Sequence, residues 1–399
     1  MPRWTIWILF VLFSATVQIL AHYYVWRRLV RDTGMEHPWR RRFTIAIVIL
    51  ALSIPSTLWA SRLLSADIGR IMGWPVLLWL GFAALLLIGF LLIDGARIVL
   101  WSVRRGLART KKGVPASFNP DRRQFLARVA GGTVVTAATG ATAVGMHEVL
   151  KEHEIKEVPV TLSRLPPALD GFTIAQITDV HVGYTVTRSF VQSVVDRVNG
   201  LSPDLIAITG DLVDGDVDSL RDAVQPLAEL SARHGVYFVT GNHEYYAGVE
   251  PWLDELERLG IEILRNQRVE IGRGRDGFDL AGVYDYQSDR FGHGADLNRA
   301  LGDRDPDREV VLLAHQPRHV YEAARYGVGL QLSGHTHGGQ IWPWHYVVKA
   351  QQRGLLAGLS RHGETQLYIS RGTGYWGPPI RVGAPAEITR VVLRSGSAA

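Results

Sequence analysis

Five short motifs in the second half of the chain supply seven side chains able to bind metal ions. They are Asp179-Val-His181, Gly210-Asp211-Leu-Val-Asp214, Gly241-Asn242-His243-Glu244, His315 in Leu-Ala-His-Gln-Pro, and Gly334-His335-Thr-His337-Gly-Gly. Carboxylate and amide oxygens mixed with imidazoles suit borderline divalent ions such as Mn, Fe, Zn or Ni. Asp179 and His181 are alternate residues, so a bend at a strand end can turn both toward one ion. Asp211 has two oxygens, enough to bridge two ions. His335 and His337, two apart on a Gly-flanked loop, can serve neighbouring ions. Two cations about 3.5–4 Å apart can activate a bridging hydroxide and neutralise a phosphoryl group during in-line attack. The chain has no cysteine, which excludes disulfides, thiolate ligands and a Cys nucleophile.

One site forms only if the elements carrying these motifs release them at a common edge. Each motif follows a short run apolar on both faces: Phe172–Ile177, Leu205–Ile208, Val236–Val239, Val310–Leu313 and Val328–Leu332. Such runs read as strands covered on both sides, and ligands of α/β sheets gather beyond the carboxyl ends of the strands. Gly210, Gly241 and Gly334 permit sharp exits and close backbone approach. Arg188–Val198 and Trp252–Leu259 have helical spacing, and Asp279–Tyr284, Leu367–Ser370 and Ile388–Leu393 read as further strands. So many strands imply two packed sheets flanked by helices. Ser395–Ala399 reads as a disordered end.

Taken singly, Asp179 could be a turn carboxylate, Asn242 a loop cap and His315 a core histidine. Taken together and in order, the five motifs resemble the calcineurin-like metallophosphoesterase superfamily, over roughly residues 155 to 395. The Ser-Gly-His-Thr-His-Gly-Gly-Gln stretch at 333–340 resembles bacterial membrane-anchored or twin-arginine-exported members. The resemblance implies a four-layer α/β/β/α sandwich. It implies one metal held by Asp179, His181, Asp211 and His337, and a second held by Asp211, Asn242, His315 and His335. His243 would be a catalytic histidine that protonates or stabilises the leaving oxygen, oriented by Asp214. Glu244 reads as either an outer carboxylate or a solvated one. His234, His293, His319, His345 and His362 read as structural or surface residues. The aromatic run Gln340–Tyr346 reads as a packed loop, with lipid-headgroup contact as the functional alternative. Gly372-Thr-Gly-Tyr375-Trp376 resembles the family's loop near the active-site mouth.

The first part of the chain differs. Residues 1–150 carry 18 Lys and Arg against 6 Asp and Glu, whereas residues 151–399 carry 25 against 32. The overall net charge of +5 therefore describes neither half. An acidic second half excludes a broad basic footprint for nucleic acid. Three uncharged apolar runs, Trp4–Trp26, Phe43–Ser61 and Ile71–Ile93, match the roughly 20 residues needed to cross a bilayer. Trp4, Trp26, Trp74 and Trp101 resemble interfacial anchors, and few polar groups, chiefly Gln18 and His22, interrupt the runs. Basic residues at 27–42 and 104–123 place both loops in the cytoplasm by the positive-inside rule. Arg122-Arg123, followed by the mildly apolar stretch 129–146, resembles a twin-arginine segment placed internally, or a weak fourth span.

These readings divide the chain into a membrane region (1–128), a weak span and linker (129–150) and a metallophosphoesterase domain (151–399). They predict a multi-pass cytoplasmic-membrane protein whose hydrolase domain faces outside the cytoplasm. That domain would cleave phosphate mono- or diesters, with lipid or cell-envelope phosphoesters as candidate substrates. Two alternatives stand beside it. One is a pyrophosphatase of lipid-linked UDP-acylglucosamine at the cytoplasmic leaflet; the other is a non-catalytic membrane scaffold using the same fold.

Overall fold

The computed structural model describes residues 3–60, 66–108 and 119–396. They divide into two compact units, Met1–Gly145 and Met146–Ala399.

The first unit is helical. Helices α1 (Arg3–Trp26), α2 (His37–Ala60) and α3 (Ala66–Ala108) contain the three apolar runs, the second as far as Ala60, and α4 spans Pro120–Leu150. Ser61, Arg109, Lys111 and Lys112 lie outside the described residues. Among those described, two helical stretches are long and apolar enough to cross a membrane, Ile71–Leu107 and Pro120–Leu150. The third run therefore continues past Ile93 in an unbroken helix that carries Asp94. Asp94 accepts from the Tyr24 hydroxyl at 2.6 Å and pairs with Arg28 at 2.5 Å, which links α3 to α1 and its continuation. Gln18 donates to Ala51 O at 2.6 Å, and Trp79 Nε1 donates to His22 Nε2 at 3.1 Å. The few polar groups within the runs thus tie helix to helix. Arg122 and Arg123 sit in the first turn of α4.

The second unit is built on two six-stranded sheets. The strands are β1 (Glu154–Leu162), β2 (Thr173–Ile177), β3 (Leu205–Ile208), β4 (Val236–Phe238), β5 (Glu262–Ile263), β6 (Gln267–Arg273), β7 (Asp276–Gly282), β8 (Val310–Leu313), β9 (Leu330–Ser333), β10 (Gly358–His362), β11 (Thr365–Ile369) and β12 (Glu387–Ser395). One sheet runs β1-β12-β2-β3-β4-β5 and the other β10-β11-β9-β8-β7-β6. β2 to β5 are mutually parallel, as are β7, β8, β9 and β11, so each sheet has a parallel centre. Ser395, expected in a disordered end, is instead paired with Leu162 and hydrogen-bonded to Asp170 and Leu165.

Three apolar layers explain the stacking. Ile174, Leu205, Val239, Phe278, Leu280, Val311 and Leu332 fill the space between the sheets. On the outer face of the first sheet lie α5 (Arg188–Gly200), α6 (Val217–Val224), α7 (Asn242–Ala247) and α8 (Val249–Arg258). α5 buries Val191, Val194, Val195 and Val198, and α8 buries Val249, Trp252, Leu253 and Leu256, the i, i+3, i+4, i+7 stripe of a helix lying on a sheet. α9 (Leu297–Leu301) and α10 (Val320–Ala323) cover the second sheet through Leu297, Ala300, Leu301 and Ala323. The order is helix, sheet, sheet, helix.

Candidate metal centre

All five motifs leave the parallel strands β2, β3, β4, β8 and β9 at their carboxyl ends, and the two sheets bring those ends together. The exits are sharp. Asp179, His181, Asp211, His335 and His337 all adopt left-handed backbone, with φ between 51° and 72°. Such a conformation costs a non-glycine residue about 1–3 kcal/mol and concentrates at functional sites. Two glycines make the approach possible. A side chain at Gly241 would strike Asp211, and one at Gly334 would strike Asp179 and Thr178.

The side chains fall into two adjoining groups, Asp179/His181/His337 and Asp211/His315/His335, whose ligand atoms lie within 4.8 Å of one another in each group. His181 Nδ1 lies 2.8 Å from Asp214 Oδ1, a bond that turns its Nε2 toward the other ligand side chains. That Nε2 stands 3.1 Å from His337 Nε2, and His337 Nε2 is 3.4 Å from Asp179 Oδ1. In the second group His315 Nδ1 donates to Thr209 O at 2.7 Å, which turns Nε2 toward Asp211 Oδ2 at 3.0 Å. Asn242 Oδ1 and His335 Nδ1 are buried without a hydrogen bond, and His315 Nε2 has only the Asp211 carboxylate beside it. Buried polar atoms left unpaired are costly, and His335 shares its group with the Asp211 carboxylate. Facing imidazole nitrogens beside orphaned oxygen and nitrogen atoms fit divalent cations. Thiolates are absent, so the donor set is the hard-to-borderline one expected from the sequence.

Charge follows the same geometry. Burial, then the nearby charge of His315, lowers His335 to about 3. Burial and the neighbouring His181 hold His337 well below the ordinary imidazole range. Both are neutral lone-pair donors at pH 7. Partial desolvation would raise Asp214, but His181 and His243 more than reverse it and keep the carboxylate ionised. Burial would lower His243; its 2.6 Å bond to Asp214 and the charge of Asp211 instead hold it up to about 9. His243 Nε2 remains 4.0 Å from Asp211 Oδ2. Asp214 therefore grips two histidines at once, one in the metal cluster and one beside it.

Glu244, left open by the sequence, is fully buried. It accepts backbone N–H groups of Gly241, Asp211 and Leu212 at 2.6, 3.1 and 2.7 Å, clamping two of the five loops. Burial and the adjacent Asp211 push its carboxyl up to about 7. Arg381 was not indicated by any motif. Its guanidinium is buried and donates to the carbonyls of Arg371, Gly374 and Ala384, with one nitrogen 3.3 Å from His337 Nδ1. Burial lowers it to about 10, so it stays charged. A lone Arg after Pro-Pro-Ile carries no sequence signal for this role.

The aromatic run does not form the packed loop expected. Trp342, Trp344 and Tyr346 are more than half exposed, because the 341–346 segment is held through its backbone instead, with Trp342 N donating to Val382 O. Gln340 joins that segment to Trp376 through two hydrogen bonds, and the Trp376 ring stands 5.8 Å from His243. Of the outlying histidines, His319 and His153 are buried, His234 packs at a tilt against Phe172, and His293 pairs with Glu250.

The calcineurin-like phosphoesterase family profile matches residues 172–339, which span every motif. An uncharacterized metallophosphoesterase of Helicobacter pylori is 40% identical over 69% of this chain and 73% of its own length. A transmembrane protein with metallophosphoesterase domain from Danio rerio is 33% identical over 96% of this chain and 89% of its own. The uncharacterized metallophosphoesterase YkuE of Bacillus subtilis is 32% identical over 69% of this chain and 98% of its own. The chain belongs to the calcineurin-like metallophosphoesterase family. The match to the fish protein extends through the helical unit as well.

Proposed function

We propose that the protein is a membrane-tethered, metal-dependent hydrolase of phosphate mono- or diesters. The convergence of Asp179, His181, Asp211, Asn242, His315, His335 and His337 at one sheet edge, with unpaired donor atoms facing inward, carries this reading. Asp179, His181, Asp211 and His337 would hold one divalent ion, and Asp211, Asn242, His315 and His335 the other. When bound, the ions supply Lewis acidity toward phosphoryl oxygens and activate water as the nucleophile. His243 acts as the general acid. Its Nδ1 is committed to Asp214, its proton is retained near neutrality, and Nε2 is left to donate to the departing oxygen. Asp214 positions His243 and His181 together. Arg381 and Glu244 hold the loops that carry the ligands.

A lipid or cell-envelope phosphoester is the substrate class we favour. Exposed Trp376 beside His243, joined through Gln340 to the segment that bears exposed Trp342 and Trp344, suits an amphiphilic ligand, and the apolar helices 71–107 and 120–150 suit a bilayer tether. The basic flanks of those helices support a hydrolase domain outside the cytoplasm. The test is purified full-length protein assayed for bound metal and for turnover of a generic aryl phosphodiester. His243→Ala is expected to lower turnover by a factor of about 10²–10⁴ with metal content intact. Wild-type protein that retains no divalent ion, or unaltered turnover in His243→Ala, would refute the assignment.

A further inference from the structure

Beyond His315 and Gln316, the 3-10 turn Pro317–His319 opens on a cleft of about 260 Å³. Its lining includes Tyr286, Arg318, His319, Arg325 and Arg353, with Glu322 as the one carboxylate. Three guanidiniums against one acid give the cleft a net positive lining. Arg318 is fixed by bonds to Gln352 Oε1 at 3.1 Å and to the Gln351 carbonyl, so its charge is held in place. The side chains of Arg325 and Arg353 have no hydrogen-bond or ion-pair partner among the described residues.

His319 supplies the second observation. It is 3% exposed, it lines the cleft, and neither of its ring nitrogens has a hydrogen-bond partner. The Tyr286 ring, edge-on at 5.3 Å, fixes its plane. Burial, reinforced by the charge of His315, lowers it to about 4, so at neutral pH it offers one N–H and one lone pair. A buried imidazole with both nitrogens idle is costly unless a ligand satisfies it. Guanidiniums that outnumber carboxylates in one cleft are recognition elements for phosphate, which they bind through paired hydrogen bonds.

The cleft lies beside the metal cluster. The turn lining the cleft begins two residues after His315, and Asp285, next to Tyr286, accepts from Gln316 at 3.0 Å. We infer that Arg318, Arg325, Arg353 and His319 form a subsite for a second phosphate group of the substrate, separate from the phosphoryl group being cleaved. This rests on the phosphoesterase reading and narrows it. The substrate would carry two phosphates, one at the metal cluster and one in the arginine cleft.

The experiment compares two aryl phosphodiesters with full-length, metal-loaded protein. They differ only in whether the non-leaving alcohol carries a terminal phosphate on a short alkyl linker. Wild type is expected to favour the doubly phosphorylated ester in kcat/KM by tenfold or more. That ratio should fall about tenfold in Arg325→Gln/Arg353→Gln, whose two side chains are exposed and outside the core, and in His319→Phe. The loss should lie in KM rather than kcat. A ratio near one in wild type, or a ratio unchanged in the arginine pair, overturns the subsite while leaving the phosphoesterase standing. Wild type that turns over neither ester overturns both. Inorganic phosphate distinguishes a free anion from the substrate's own group. Inhibition of the singly phosphorylated ester that disappears in the arginine pair, without preference between the esters, would assign the cleft to free phosphate and overturn a substrate subsite.

Discussion

Gly241→Ala tests whether the site depends on the close approach of two loops. A Cβ at 241 would lie 2.8 Å from Asp211 Cγ, and closer still to its Oδ1 and backbone nitrogen. Carbon atoms reach their attractive minimum at about 3.5–4.0 Å, so both loops cannot keep their places. Rotating Asp211 away does not help, because its backbone nitrogen is also in the way. Its carboxylate is moreover held by His243 N at 2.8 Å and faces His315 at 3.0 Å. Relief requires one loop to move by about 1 Å. A misplacement of that size costs about 10²-fold in rate, and overpacking costs about 1–3 kcal/mol. For a unit of this size that lowers Tm by about 2–12 °C. The assay is kcat/KM on an aryl phosphodiester, with bound metal and thermal unfolding measured on the same preparation. Gly200→Ala is the control, since a Cβ there meets nothing within 4 Å. Wild-type turnover and metal content in Gly241→Ala would refute the argument that this contact sets the geometry of Asp211.

Asp211→Asn, which keeps the shape but weakens the shared ligand, should lower bound divalent ion, read by elemental analysis of the purified protein; full occupancy would remove Asp211 from the ligand set. Turnover should fall with rising pH along a limb above the ordinary imidazole value, because His243 must be protonated to donate and is held up to about 9. In Asp214→Asn that limb should move to lower pH, and a stationary limb would assign it to another group. His153, buried with Nε2 3.0 Å from Thr373 O, is lowered to about 4 by burial. Unfolded His153 takes up a proton near pH 6.5 and the folded residue does not, so stability present above 6.5 is lost as pH falls toward 4. The loss is on the order of 3 kcal/mol. His153→Gln should flatten that part of a denaturation-versus-pH curve, and an unaltered slope would contradict it.

The linear chain already determined the strands and the donor chemistry. Runs such as Leu205–Ile208 and Val310–Leu313 are apolar on both faces, and they became central strands at the positions expected. The motifs at their ends declare hard and borderline donors, because residue type alone fixes what an imidazole or carboxylate can bind. Local pattern also located α5 and α8, whose apolar stripes need only 3.6-residue periodicity. β1, β5, β6 and β10 were not legible. β1 and β10 are edge strands with much exposed surface, β5 is two residues long, and β6 alternates poorly.

Only the tertiary structure decided how the pieces act together. Asp214 meets both His181 and His243, Glu244 ties three backbone N–H groups from two loops, and Arg381 reaches in from 44 residues beyond His337. Apart from the bond of Glu244 to Gly241, three residues back, none of these pairings is encoded at short range. They depend on sheet order, which places β2, β3 and β4 side by side and sets β8 and β9 across from them. The same holds for His319. Its sequence neighbours suggest an ordinary surface or structural residue, and only folding buries it with both nitrogens unpaired in a basic cleft. Donor identity is a property of residues, whereas orientation and burial are properties of the packed sheets.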